Sequence, residues 1–69
     1  MKLSAKNQLK GKVKAITTGA VNTEVIIELP GGALVTSIIT KSSAEALGLK
    51  VGVTAYAIVK ASNVIVGVD

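Results

Sequence analysis

The fold is decided by residues 21–40, VNTEVIIELPGGALVTSIIT. From Val21 to Leu29 the odd-numbered residues, apolar except for one threonine, form one face, and Glu24 and Glu28 lie on the other. This period of two predicts a β-strand. The triplet Pro30-Gly31-Gly32 predicts a tight turn, and the β-branched residues of Ala33 to Thr40 predict a second strand. The two strands and their turn are expected to form a β-hairpin.

A further strand is predicted on each side of this hairpin. From Gln8 to Thr17 apolar and basic residues alternate, which predicts a strand with one apolar face and one basic face. The apolar face is formed by Leu9, Val13 and Ala15, and the basic face by Lys10, Lys12 and Lys14. Gly11 lies inside this strand and indicates either a bulge or a close backbone approach. Val53 to Lys60 alternates in the same way and predicts the fourth strand.

The remaining segments predict one short helix and a fifth strand. Ser42, with Glu45 three residues later, matches a capping box, and Gly48 ends the helix after little more than one turn. Asn63 to Val68 is nearly all apolar, so we expect a strand covered on both faces, by the core and by a neighbouring subunit. The resulting fold class is all-β, an OB-like five-stranded barrel with one short helix between strands 3 and 4.

Length and composition predict a single domain, residues 1–69, that assembles with copies of itself. A chain of 69 residues buries a thin core, and small domains usually need an additional stabilising feature. The sequence has neither Cys nor His, so disulfides are excluded and a structural zinc site is disfavoured. Because 49% of the residues are hydrophobic, part of the apolar surface is expected to lie between subunits.

Composition also limits the classes of function to be considered for this chain. The net charge of +4 comes from eight Lys without Arg, which suggests nucleic-acid binding on the basic face as one hypothesis. Tyr56 is the single aromatic residue, which weakens that hypothesis because bases have little to stack on. The four acidic residues are scattered, so we expect no acid–base catalysis and no enzyme activity. No stretch predicts a membrane span or a secretory signal, so we expect a cytoplasmic protein.

Three polar clusters remain, and they share one chemistry. Residues 4–7 (SAKN), 40–43 (TKSS) and 60–63 (KASN) supply hydroxyl, amide and ammonium donors, and none contains a carboxylate. Such a donor-rich, positive set suits a small oxyanion and does not suit a metal cation, which needs carboxylate, imidazole or thiolate ligands. Each cluster taken alone has an ordinary alternative, namely a helix cap for residues 40–43 and solvated lysines for the other two.

Taken together, these segments resemble a known family. SAKNQLKG at residues 4–11, IIT at 38–40 with Ser43 and LGL at 47–49, and VKASNV at 59–64 match the pattern of the molbindins, small cytoplasmic proteins of the Mop type that bind molybdate and tungstate. The resemblance spans nearly the whole chain. It implies an OB-like domain that assembles as a homohexamer, a trimer of dimers, with oxyanion sites between subunits.

The resemblance also implies the site residues. The family's oxyanion ligands fall on Ser4, Lys6, Thr40, Ser43 and Lys60, with backbone N–H groups beside them. The expected function is storage and buffering of molybdate or tungstate, with no cation as cofactor. The alternatives are an OB-type nucleic-acid-binding domain and a purely structural assembly module.

Overall fold

The computed structural model describes all 69 residues, Met1–Asp69, as one curled antiparallel sheet with a short helix. The sheet order is β3-β2-β1-β4, and the fold class is all-β as predicted. None of the helices has the length and apolar character that crossing a membrane requires. The elements, in chain order, are β1 (Asn7–Thr18), β2 (Asn22–Glu28), β3 (Leu34–Thr40), α1 (Lys41–Ala46), β4 (Thr54–Val59) and a 3₁₀ turn (Ala61–Asn63).

The long strand β1 is shared between two partners, and this sharing curls the sheet. Its first half, from Asn7 to Lys12, pairs with β4, and its second half, from Lys12 to Thr18, pairs with β2. Gly11 lies at the change of partner and is buried. A Cβ atom there would lie 2.4 Å from the carbonyl oxygen of Glu28, so the predicted close backbone approach at this glycine is confirmed.

A β-bulge lies three residues beyond Gly11. The register between β1 and β2 shifts between Val13 and Ala15, which leaves Lys14 as the extra residue. The shift rotates the rest of the strand, so that Ile16 packs against the core. The prediction that Ala15 continues the face of Val13 is therefore wrong, because a bulge changes the period of two and alternation alone does not reveal it.

The core is small and is built around the predicted face of β2. Val25 and Ile27 are buried together with Val13 of β1 and Ala57 of β4. Thr23, on the same face of β2, is 1% exposed, and its hydroxyl has no hydrogen-bond partner. Only six of the 69 residues are buried. The core of the single chain is therefore thin, as predicted.

Two local predictions need correction. The helix is capped by Thr40, whose side chain accepts a hydrogen bond from the Ser43 amide, and not by Ser42. The chain contains four strands and not five, since residues after the 3₁₀ turn carry no regular structure. A strand requires a partner edge, and the segment Val64 to Asp69 meets none within its own chain. An OB-like barrel closed by a fifth strand would need that strand to bridge the two sheet edges, β3 and β4.

Candidate oxyanion site

The first group of predicted site residues lies where β3 meets α1. The Thr40 backbone is still extended, with φ −68° and ψ 151°, and its Oγ1 accepts a hydrogen bond of 3.1 Å from the Ser43 amide. Thr40 Oγ1 donates in turn to Ser43 Oγ at 2.7 Å, and Ser42 Oγ lies 3.3 Å from Thr40 Oγ1. Because the Thr40 hydroxyl proton is used in this contact, the Ser43 hydroxyl keeps its own proton for an external acceptor.

This group is exposed and borders an open cleft of about 500 Å³. Lys41 anchors it, since the Lys41 amide donates to the carbonyl of Val21 at 2.8 Å. Glu45, one turn into α1, also lines the cleft. The sequence analysis assigns Glu45 to a capping box and does not predict that its carboxylate borders the residue 40–43 cluster, although the i+3 spacing from Ser42 places both on the same side of a helix.

The second group lies at the opposite end of β1. Asn7 pairs with Val59, so Lys6 and Lys60 flank the same end of the β1–β4 ladder, one residue beyond the pair. Gln8 Nε2 donates to the carbonyl of Ala5 at 2.9 Å, which holds the segment before β1 close to the strand. The Ser4, Lys6 and Lys60 side chains are all exposed.

Neither lysine of the second group is neutralised within the chain. The single ion pair joins Lys14 to Glu28, with 3.4 Å between Nζ and the carboxylate, and it lies at the middle of the sheet. No cluster of three His, Cys, Asp or Glu residues is present that would hold a metal ion. The second group therefore offers two ammonium groups and a hydroxyl to an anion without a competing carboxylate partner.

The two groups do not meet within one chain. Thr40 pairs with Asn22, next to the Thr18 end of β1, whereas Lys6 and Lys60 lie at the Asn7 end. Fully extended, the 12 residues of β1 would span roughly 36 Å; the curled and bulged strand is shorter, since the molecule measures 35 Å at its longest, but its ends are still much farther apart than the about 3 Å of a hydrogen bond. One small anion therefore cannot contact both groups of the same chain, and the predicted ligands fall into two separate groups, called half-sites below.

Comparison with known proteins identifies the family. Residues 3–66 match the TOBE domain. The chain is 49% identical over 69 residues to a probable molybdenum-pterin-binding protein of Haemophilus influenzae, and the match covers 100% of both chains. It superposes on MopII of Clostridium pasteurianum with a TM-score of 0.92 and 45% identity, covering 97% of this chain and 100% of that one.

A third comparison concerns a structure with a bound ligand. The cytoplasmic molybdate-binding protein ModG, in a crystal form with molybdate bound, matches with a TM-score of 0.96 and 55% identity. The match covers 100% of this chain and 49% of ModG, so the chain corresponds to about half of that protein. With a domain match over residues 3–66 and relatives of the same length close to 50% identical, this chain belongs to the TOBE-domain family, and within it to the small Mop-type proteins that its sequence resembles.

Proposed function

We propose that this chain forms a single oxyanion-binding domain that holds molybdate or tungstate between the subunits of a homo-oligomer, in the cytoplasm, for storage and buffering and without catalysis. The observation that carries the proposal is the likeness over the whole chain to ModG, a protein solved with molybdate bound. The names of the relatives point to molybdenum as well.

The chemistry of the two half-sites supports an oxyanion as ligand. Molybdate is a tetrahedral dianion that offers only hydrogen-bond acceptors at neutral pH, and the predicted ligands of both half-sites are donors, although the Glu45 carboxylate also lines the cleft beside Thr40. Lys6 and Lys60 supply charge and hydrogen bonds, and charge-assisted hydrogen bonds are about twice as strong as neutral ones. Ser4 and Ser43 supply hydroxyl donors. Thr40 orients Ser43 through their 2.7 Å contact, so its part in the site is positioning as well as contact.

The placement of the half-sites supports assembly. Because the residue 40–43 group and the Lys6–Lys60 group lie at opposite ends of β1, a complete set of ligands requires the first group of one subunit and the second group of another. The exposed apolar residues after Asn63 supply surface for such contacts, with Ile65 and Val68 each 94% exposed. The proposed assembly is the hexamer, a trimer of dimers, that the family resemblance implies.

Several relatives are named for molybdenum pterin, a larger ligand than molybdate. A pterin ring would gain from aromatic stacking, and the one aromatic side chain, Tyr56, lines an apolar groove that contains none of the predicted ligand residues. We therefore propose the oxyanion itself as the ligand and not the pterin. Nucleic-acid binding on the basic face of β1 is not proposed, since the relatives described above carry molybdenum names.

The test compares two lysines that are both exposed in the chain, Lys60 and Lys12. We expect Lys60→Ala to weaken molybdate binding roughly ten- to a hundredfold, since a hydrogen bond to a charged group contributes about 1.5–3 kcal/mol. Lys12→Ala, on the outward face of β1, should leave the affinity nearly unchanged. Calorimetric titration with molybdate measures both, with sulfate as the control anion. Equal losses in the two variants would show that the lysines act through net charge alone, and equal binding of sulfate would show a generic anion site.

A further inference from the structure

A polar cleft lies on the outer face of the sheet, where β1 changes its pairing partner from β4 to β2. Its volume is about 470 Å³, and none of the predicted oxyanion ligands lines it. The polar side chains that border it belong to Lys10, Lys12, Glu28 and Thr54. The cleft is therefore separate from both half-sites.

The strand register brings these four side chains to one face. Lys12 pairs with Thr54 of β4 on one side and with Glu28 of β2 on the other, and directly paired residues project from the same face of a sheet. Lys10 precedes Lys12 by two residues, so its side chain leaves the same face about 7 Å away. Both lysines are exposed, whereas Gly11 between them is buried. The cleft thus presents two ammonium groups and a hydroxyl, which is also the donor set of the second half-site.

The backbone of β1 adds a donor to this set. The hydrogen-bonding groups of successive residues in a strand point to its two edges in alternation. Val13 N donates to the carbonyl of Val53 at 2.9 Å, on the β4 side of the strand. Alternation therefore turns the N–H of Lys10 to the β2 side, where β2 has ended at Glu28 and the chain turns at Pro30. No hydrogen bond joins Lys10 to that turn, so its N–H faces the cleft as a further donor.

The charge around the cleft is positive. Residues 1–14 carry five of the eight lysines and no acid, whereas residues 15–69 carry three lysines and all four acids. The single ion pair joins Lys14 to Glu28, so Lys10 and Lys12 keep uncompensated charges within the chain. An anion in the cleft is therefore attracted to these two lysines and forms charge-assisted hydrogen bonds with them.

Glu28 limits which anion fits this donor set. Its side chain is 44% exposed, and Lys14 Nζ lies 3.4 Å from one carboxylate oxygen, Oε2. The other oxygen is left to accept a hydrogen bond. Molybdate and sulfate carry no proton at neutral pH, so they meet this carboxylate with repulsion alone. Hydrogen phosphate carries a P–OH group, which donates to the carboxylate while the other phosphate oxygens accept from the lysines.

We propose that the cleft is a phosphate site. Lys10, Lys12 and Thr54 donate to the phosphate oxygens, and the Glu28 carboxylate accepts a hydrogen bond from a hydroxyl of the ligand. Two ligands share this chemistry, because inorganic phosphate brings its own P–OH group and a phosphate monoester of a polyol brings a carbon-bound hydroxyl. Leu29, which also lines the cleft, offers an apolar contact to the organic part of such an ester. This site goes beyond the proposed oxyanion function and does not depend on it.

Titration calorimetry with inorganic phosphate tests the site, first without molybdate and then with molybdate in saturating excess. We expect the same phosphate affinity in both titrations, since the cleft and the half-sites share no residue. Lys12→Gln should weaken phosphate binding roughly tenfold and leave molybdate binding unchanged. The matched control is Lys50→Gln, which removes the same charge from an exposed lysine outside the cleft and should change the phosphate affinity by less than about twofold. Glycerol phosphate in a parallel titration distinguishes the ester from inorganic phosphate.

A second pair of variants tests the part of Glu28 in selecting the anion. The unmodified protein should bind phosphate roughly tenfold more tightly than sulfate, because sulfate leaves the carboxylate facing an acceptor. Glu28→Gln replaces that carboxylate by an amide that also donates, so sulfate should then bind nearly as well as phosphate. Glu24→Gln is the control, since it changes the net charge equally on the same strand but lies outside the cleft. It should leave the preference for phosphate unchanged.

The outcomes decide between this site and a general attraction of anions. Phosphate binding that persists in saturating molybdate and is lost with Lys12→Gln but not with Lys50→Gln supports the proposal. Tighter binding of glycerol phosphate than of inorganic phosphate would support it as well and assign the site to a monoester. Equal losses in the two lysine variants, equal binding of sulfate and phosphate by the unmodified protein, or a phosphate Kd above about 10 mM would overturn it. Displacement of phosphate by molybdate would also overturn it, because phosphate would then occupy the half-sites.

Discussion

Replacing Gly11 by alanine tests how the curl of the sheet is made. The added Cβ would lie 2.4 Å from the Glu28 carbonyl oxygen and 2.8 Å from Ile27 Cγ2, whereas ordinary contacts begin near 3.4 Å. The nearest atom belongs to the backbone of β2, so relief requires about 1 Å of strand movement and weakens the pairs Lys12–Glu28 and Val13–Ile27. Overpacking costs about 1–3 kcal/mol and a lost ladder hydrogen bond about 1 kcal/mol.

One effect opposes this loss. Alanine restricts the unfolded chain more than glycine does, which stabilises the folded state by about 0.4–1 kcal/mol. The net expectation for Gly11→Ala is a destabilisation of about 2 kcal/mol, and for a domain of this size each kcal/mol lowers Tm by about 4–8 °C. Thermal unfolding followed by circular dichroism, at one fixed protein concentration, measures the shift.

Lys10→Ala is the control, since Lys10 is an exposed neighbour of Gly11 in β1 and has no ion-pair partner. We expect its Tm to stay within a few degrees of the unmodified protein. A Gly11→Ala protein that melted at the same temperature as the Lys10→Ala control would refute the close approach of β1 and β2, and with it the explanation of the curl. Molybdate binding by folded Gly11→Ala should persist, because Gly11 lies at the middle of β1, away from both half-sites.

Three further substitutions are expected to give distinct results. Thr40→Val removes the cap of α1 and should lower the free energy of unfolding by about 1 kcal/mol, whereas Ser42→Ala should change it little; urea unfolding distinguishes Thr40 from Ser42 as the cap. Thr23→Val replaces a buried hydroxyl without a partner and should leave the stability unchanged or raise it by up to about 1–3 kcal/mol; a clear loss in urea unfolding would mean that the hydroxyl is satisfied in the assembled protein. Val66→Lys places a charge on a side chain that is 85% exposed in the single chain and lies in the proposed interface, so it should remove both the oligomer and anion binding and leave a less stable monomer; a well-folded monomer that still bound molybdate at full strength in sedimentation and titration would contradict the intersubunit site.

The strands could be predicted from the sequence because their signals are local. The face of β2 that carries Val25 and Ile27 follows from alternation, and the hairpin follows from Pro30-Gly31-Gly32, where both glycines adopt positive φ, 94° and 98°. The bulge at Lys14 could not be predicted, because it depends on how β1 serves two partners. The capping-box pattern predicts Ser42 as the cap of α1, whereas Thr40 caps the helix because its extended backbone at the end of β3 lets its side chain accept from the Ser43 amide.

For the candidate site, likewise, the sequence predicts the chemistry of the ligands, whereas their positions depend on strand pairing. Residue types alone indicated an anion, because hydroxyl and ammonium donors clustered without carboxylates. The proximity of Lys6 and Lys60 follows only from the Asn7–Val59 pair, which links residues 52 positions apart in the chain. The separation of these lysines from Thr40 likewise follows from the register, and the predicted ligand set remains a prediction until an anion is placed between subunits.

A thin core, a divided site and an exposed tail have one physical explanation. Six buried residues give little stability to an isolated chain, and the proposed assembly would supply further burial. If subunit contacts both complete the core and bring the half-sites together, an anion that binds only the assembled state stabilises that state by mass action, by about 2.7 kcal/mol at a hundredfold excess over Kd. Assembly and anion binding would then strengthen each other to the same extent, as linkage requires. Melting temperature should consequently rise with protein concentration and should keep rising with molybdate above Kd, since the stabilisation grows with the logarithm of the ligand concentration.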